Sequence, residues 1–187
     1  MMKILNKNRS GFSLIELVVV VLIIGIMAAI AVPNILAWLP NMRLKEAARD
    51  LYSNMQKARM MAVKTNRNTA ITFDTATNKY IICDNWDSAT SSCVGGTQTV
   101  DFSSMRDGIG YGHGANNNPA TSPVSGTTFG DNVTYNSPVN VATFNSRGLC
   151  NAGYVYLDHK DHTTTYAIGS KTSGVIKLLK WNGSVWK

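Results

Sequence analysis

The longest apolar run of the chain lies close to its N-terminus. Residues 17–32 contain no charged side chain, and Pro33 follows them directly. The 21 residues from Phe12 to Val32 would form a helix of roughly 30 Å, which matches the hydrocarbon thickness of a bilayer. The pattern therefore predicts a membrane-spanning helix over residues 12–32.

A second helical pattern follows this run. Beyond Pro33 and Pro40, apolar residues recur at spacings of three and four, which predicts an amphipathic helix from about Met42 to Val63 within a stem over residues 33–66. The two prolines remove backbone donors and are expected to loosen or kink the helix between its halves. The positions expected to be buried are Leu44, Ala47, Ala48, Leu51, Met55, Ala58, Met61 and Ala62.

From residue 67 to residue 187 the pattern changes to short β-rich runs separated by turn residues. Asp74–Lys79 and Leu157–Thr163 are predicted hairpin connections, and Gly108–Gly130 is a predicted polar loop. The fold class is therefore expected to be α+β, a long N-terminal helix with its amphipathic half packed on a C-terminal antiparallel β-domain. The predicted strands are Thr69–Phe73, Lys79–Ile82, Thr97–Phe102, Asn132–Tyr135, Asn140–Phe144, Tyr154–Leu157, Thr163–Ile168 and Val175–Leu179.

The charge balance changes this interpretation little. The formal net charge is +7, and Lys3, Lys7 and Arg9 contribute three of those charges ahead of the apolar run. Without them the chain would carry 7 − 3 = +4, a mild excess that is more typical of a solvated surface than of a nucleic-acid site. The basic start favours a cytoplasmic position for residues 1–11.

Glu16 is the anomaly of the apolar segment. A carboxylate in such a segment costs about 2.5–3.5 kcal/mol on insertion scales, so it needs a partner, a function or hydration near the membrane interface. The segment also has a second interpretation, because Ala29-Ile30-Ala31 fits an ordinary signal-peptide cleavage site. Cleavage at Ala31 would release a secreted soluble β-domain.

The segment from Gly11 to Glu16, Gly-Phe-Ser-Leu-Ile-Glu, resembles the N-terminal motif of type IV pilins and of type II secretion pseudopilins. The resemblance implies a class III leader over residues 1–11, cleaved between Gly11 and Phe12 by a prepilin peptidase that methylates Phe12. It further implies that Glu16 pairs with the Phe12 amine of a neighbouring subunit. The expected partners are other pilin or pseudopilin subunits and the assembly platform of the bacterial inner membrane, with the C-terminal domain in the periplasm.

Segments after residue 43 resemble one particular group of these pilin-like proteins. Residues 44–51, 58–64 and 69–74 are similar to the helix-to-strand region of H-type minor pseudopilins and FimT-like minor pilins, and Phe144–Gly148 resembles a turn of the same group. The resemblance implies a minor structural subunit of a type II secretion pseudopilus or a type IV pilus. DNA-binding FimT-like members carry Gly-Arg-x-Arg, whereas residues 174–177 here read Gly-Val-Ile-Lys.

DNA uptake therefore remains an alternative function, and nucleic acid is not an expected partner. Weak phosphate contacts would come from Lys171, Lys177 and Lys180, with Trp181 and Trp186 as stacking surfaces. The favoured alternative is that the two tryptophans close a C-terminal hairpin.

The remaining candidate chemistry is sparse. In an oxidising compartment Cys83 and Cys93 are the expected disulfide, which leaves Cys150 as a buried, inert thiol. His159 and His162 lie in a predicted hairpin turn and are expected to face solvent rather than a metal. The sequence contains no catalytic triad pattern or phosphate loop, so neither an enzyme nor a cofactor nor a metal site is expected.

Overall fold

The computed structural model describes residues 11–102, 108–113, 123, 131–159 and 164–187. Helix α1 spans Leu14–Thr65 and continues through both prolines. The chain divides into two compact units, Met1–Leu39 and Pro40–Lys187. The predicted leader, apart from Gly11, lies outside the described residues.

The first unit contains the apolar half of α1. Every side chain from Phe12 to Trp38 is exposed, although an 18-residue window of this helix reaches a mean hydropathy of 3.0. An apolar surface of this length is costly in water and favourable in hydrocarbon. By length and composition, α1 can therefore cross a membrane.

The second unit contains the amphipathic half of α1. Its buried face consists of seven of the eight positions expected from the periodicity, and Met61 is half-buried. The helix ends where Asn66 adopts a left-handed φ of 53° and the Arg67 amide donates to the Ala62 carbonyl at 3.2 Å, an arrangement typical of helix C-termini.

In the described residues, ten strands follow α1. They form two four-stranded sheets, in the orders β5-β2-β1-β7 and β10-β9-β8-β6, and a small β3-β4 ribbon. Every pair among the described strands is antiparallel. The strand bounds are β1 Thr69–Asp74, β2 Lys79–Cys83, β3 Trp86–Asp87, β4 Ser92–Cys93, β5 Thr97–Asp101, β6 Ile109–Tyr111, β7 Val141–Phe144, β8 Gly153–His159, β9 Thr165–Ser170 and β10 Ile176–Lys180.

The expected fold class is confirmed, and seven of the eight predicted runs overlap a strand. The prediction for Asn132–Tyr135 was wrong, since this segment contributes only an isolated bridge between Val133 and Val155. The Tyr154 amide donates to the Thr134 hydroxyl at 2.8 Å, so a side chain takes the place of the carbonyl that would extend the ladder. Strand β6 lies inside the predicted polar loop 108–130 and was missed.

A single cluster of buried apolar side chains joins the helix face to both large sheets. Phe73 of β1 stacks on Tyr135 with a centroid distance of 5.8 Å and meets Tyr111 of β6 edge-on at 6.4 Å. Asn54 of α1 donates to the Tyr80 hydroxyl at 2.7 Å, and burial raises the pKa of Tyr80 to about 12. The helix is therefore one wall of the core.

Arg59 ties α1 to two turns of the β-domain. Its Nε donates to the Gly148 carbonyl at 2.9 Å, and a Cβ at Gly174 would meet both that oxygen and the Arg59 guanidinium. Gly174 also has a left-handed φ of 83°. Only a residue without a Cβ allows this close packing.

We therefore expect Gly174→Ala to lower the free energy of unfolding by roughly 2–4 kcal/mol, from clash and backbone strain together. Gly183→Ala is the matched control, because Gly183 has a φ of 97° and a Cβ added there would meet no atom within 4 Å. The control should cost about 1 kcal/mol. Thermal unfolding of the full chain in detergent measures both, and equal losses would contradict the packing role of Gly174.

Candidate assembly site on the N-terminal helix

The predicted cleavage site lies just before α1. Gly11, Phe12 and Ser13 are exposed and outside the helix, and the Phe12 side chain is 85% exposed. The Leu17 amide donates to the Ser13 carbonyl at 3.2 Å, which begins the helical hydrogen bonding. Both residues that flank the Gly11–Phe12 bond are therefore exposed and non-helical.

Glu16 lies in the first turn of α1 and is exposed. A carboxylate in the first turn is favoured by the positive end of the helix dipole. It is also the one charged residue between Gly11 and Met42 in the sequence. Its own segment therefore offers no basic side chain to neutralise it.

Cys83 and Cys93 are joined by a disulfide, with their Cα atoms 5.9 Å apart. The bond closes the β3-β4 ribbon, and Trp86 of that ribbon is buried against Cys83. Hydrogen bonds from the Ala89 amide and the Thr90 hydroxyl lower the pKa of Asp87. The disulfide and these hydrogen bonds therefore constrain the loop.

Cys150 is a free, buried thiol. Its Sγ lies 2.8 Å from the Lys171 carbonyl oxygen. Burial raises the pKa of this thiol, so it stays protonated at neutral pH. A protonated, buried thiol is unreactive.

The three lysines named as weak phosphate contacts are exposed, but the structure does not gather them on one surface. Lys177 and Lys180 are three residues apart in β10, and side chains at that spacing point to opposite faces of a sheet. Lys171 lies before β10, at the turn that the Lys171 amide closes on the Val175 carbonyl.

The C-terminal tryptophans form the predicted hairpin. Trp181 and Trp186 pair across an antiparallel bridge with ring centroids 5.3 Å apart. Trp181 is only 6% exposed, and Trp186 packs on Tyr156 of β8 at 5.9 Å. The buried Trp181 ring cannot stack on a nucleic-acid base.

The expectation that His159 faces solvent was wrong. His159 lies in β8 and is 5% exposed, because the strand extends two residues beyond the predicted Leu157. His162 lies outside the described residues. Within the part of the chain that the structure describes, no group of three or more His, Cys, Asp or Glu side chains could hold a metal.

An exposed apolar helix with a lone carboxylate, continued by an amphipathic half that packs on antiparallel sheets, defines the class of pilin-like filament subunits. The model of the prokaryotic N-terminal methylation motif matches residues 6–32, and that of the type II transport protein GspH matches residues 47–174. The chain therefore belongs to the family of the type II transport protein GspH.

Two solved structures share the fold. The minor pseudopilin EpsH from the type 2 secretion system of Vibrio cholerae matches with a TM-score of 0.51 and 10% identity, over 73% of this chain and 96% of that one. The type IV minor pilin FimU of Pseudomonas aeruginosa matches with a TM-score of 0.51 and 16% identity, over 79% and 94%. A comparison with curated proteins gave no match.

Thiol alkylation tests the cysteine arrangement. In the native, unreduced chain we expect no label on any of the three cysteines, because two are bonded and Cys150 is buried. Denaturation without reduction should expose Cys150 alone, and reduction should then expose the other two. Mass spectrometry of tryptic peptides locates the labels, and a label on Cys83 or Cys93 before reduction would contradict the disulfide.

Proposed function

We propose that the chain is a minor filament subunit that a prepilin peptidase cleaves between Gly11 and Phe12 and methylates on the new Phe12 amine. The chain is anchored once in the bacterial inner membrane, with its β-domain in the periplasm, before it enters a type II secretion pseudopilus or a type IV pilus. The observation that carries the proposal is the exposed apolar half of α1 with Glu16 as its lone charge.

The orientation follows from the charges that flank the apolar run. Lys3, Lys7 and Arg9 lie on one side of it within a few residues. Short basic segments stay in the cytoplasm. The segment after residue 32 then leads to the opposite side, where an oxidising periplasm suits the Cys83–Cys93 disulfide.

Cleavage creates the partner that Glu16 needs. Before cleavage the nitrogen of Phe12 is a peptide nitrogen without charge, and afterwards it is an ammonium group. An isolated carboxylate is costly in lipid, whereas a paired one is neutralised when the geometry is good. The Phe12 amine of a neighbouring subunit can reach Glu16 only in one register of the packed helices.

The subunit's work is structural rather than enzymatic. The apolar half of α1 packs in the filament core after extraction from the membrane by the assembly platform, and the β-domain contacts other subunits. DNA uptake is less well supported, because Lys177 and Lys180 face opposite sides of β10 and Trp181 is buried.

Mass spectrometry of the membrane-bound chain tests the processing step. We expect a mature N-terminus at Phe12 that carries a methyl group on its amine. The same chain expressed without a prepilin peptidase should retain residues 1–11. A mature N-terminus at Val32 would instead establish a secreted, signal-peptide-cleaved protein.

Glu16→Val tests the register role. The substitution removes the charge but keeps the helix apolar, so the subunit should remain in the membrane fraction. Its recovery in sheared filaments should fall at least tenfold, which corresponds to about 1.4 kcal/mol. Glu46→Val, at an exposed position of the stem, is the matched control and should assemble normally. Wild-type recovery of Glu16→Val would refute the role of Glu16.

A further inference from the structure

The two large sheets end in four edge strands, β5 and β7 in one sheet and β6 and β10 in the other. An edge strand presents unpaired backbone N–H and C=O groups that can recruit another strand. These four edge strands differ in the partners that their outward backbone groups have.

Asn151 forms hydrogen bonds with the outward backbone groups of strand β7. Its side-chain oxygen accepts the Thr143 amide at 2.8 Å, and its side-chain nitrogen donates to the Val141 carbonyl at 2.7 Å. The Asn151 amide bonds the Thr143 carbonyl, and the Val141 amide bonds the Pro138 carbonyl. All four outward backbone groups of Val141 and Thr143 are therefore occupied.

Strand β6 is closed in a similar way. The Tyr111 amide donates to the Asn78 side-chain oxygen, and the Asn132 side-chain nitrogen donates to the Tyr111 carbonyl, each at 3.1 Å. Two asparagine side chains thus take the positions that the backbone of a further strand would fill.

Strand β10 is covered at one end and charged along its length. The backbone groups of Lys180 bond those of Lys187 in both directions. Lys177 and Lys180 are exposed, and edge lysines oppose pairing with another strand.

In strand β5, the backbone groups of Thr97 and Thr99 have no such side-chain partner among the described residues. Hydrogen bonds from the Asp84 amide to Gly96 and from the Phe102 amide to Asn78 fix the β2–β5 ladder. In that ladder the N–H and C=O groups of Val100 bond those of Tyr80. The same groups of Gln98 bond those of Ile82. The N–H and C=O groups of Thr97 and Thr99 therefore point away from the sheet.

Among the described residues no group bonds these outward positions. Thr97, Gln98 and Thr99 are exposed. The charged residue of β5, Asp101, lies at the end of the strand and pairs with Lys79 at 3.4 Å. The start of the strand is held by the Asp84 side chain, which accepts the Gly96 amide at 2.6 Å, and by the nearby disulfide. These two contacts constrain the start of β5.

We propose that β5 is a docking edge that accepts an extended, uncharged strand from a neighbouring filament subunit through main-chain hydrogen bonds. The proposal rests on the proposed function. Donors and acceptors two residues apart along an edge, at about 3.4 Å per residue, are complementary to the backbone of another strand. Threonine at both open positions favours strand pairing.

Thr99→Pro removes the outward N–H, and proline is tolerated in an edge strand when its nitrogen faces away from the sheet. We expect its recovery in sheared filaments to fall about tenfold, equivalent to 1.4 kcal/mol. Thr99→Ala, which keeps the N–H, should assemble normally. Equal recovery of both variants and the wild type would overturn the docking edge.

Hydrogen exchange of the wild-type full chain decides the matter even if Thr99→Pro fails to fold. In the isolated subunit, the amides of Thr97 and Thr99 should exchange fast and those of Gln98 and Val100 slowly. In filaments, exchange at Thr97 and Thr99 should slow by at least about 100-fold.

Unchanged fast exchange at Thr97 and Thr99 in filaments would refute the docking edge alone. Protection by a second copy of this chain, identified by mixing labelled and unlabelled subunits, would replace the proposed partner. A wild-type chain absent from every filament fraction would overturn the proposed function together with this inference.

Discussion

The two sheets depend on the C-terminal half of α1 for their core. Seven helix residues, from Leu44 to Ala62, are buried in the same cluster as side chains of both sheets. Burial of apolar surface is the main favourable term in folding, so sheets of this size would expose their inner faces without the helix. The helix that completes the core also carries the exposed apolar segment, so the folded domain and its anchor are parts of one element.

Much of this architecture can be predicted from short local patterns in the sequence. A repeat of three and four predicts the buried face of α1, and the Gly11–Glu16 motif is read from adjacent residues. The edges of the sheets were not predictable, because Asn151 reaches Val141 across ten residues and Asn78 reaches Tyr111 across 33. An asparagine in a loop gives no local signal of the backbone that it will cap.

The misjudged residues have similar causes. The Thr134 hydroxyl accepts a hydrogen bond from the Tyr154 amide, so the predicted strand Asn132–Tyr135 forms only a single bridge. His159 is buried because β8 continues into the expected turn. The lysines predicted as phosphate contacts do not share one surface, because side chains alternate along β10 and Lys177 and Lys180 point to opposite faces. This separation could be predicted only once both residues were assigned to one strand.

We propose that assembly depends on Glu16 in the apolar segment and on the β5 edge of the domain. The most direct test is a filament structure by cryo-electron microscopy that resolves the first turn of α1. We expect the Glu16 carboxylate to lie within about 4 Å of the Phe12 amine of a neighbouring subunit, the distance of an ion pair. A Glu16 side chain that faces solvent or only its own chain would contradict the register role.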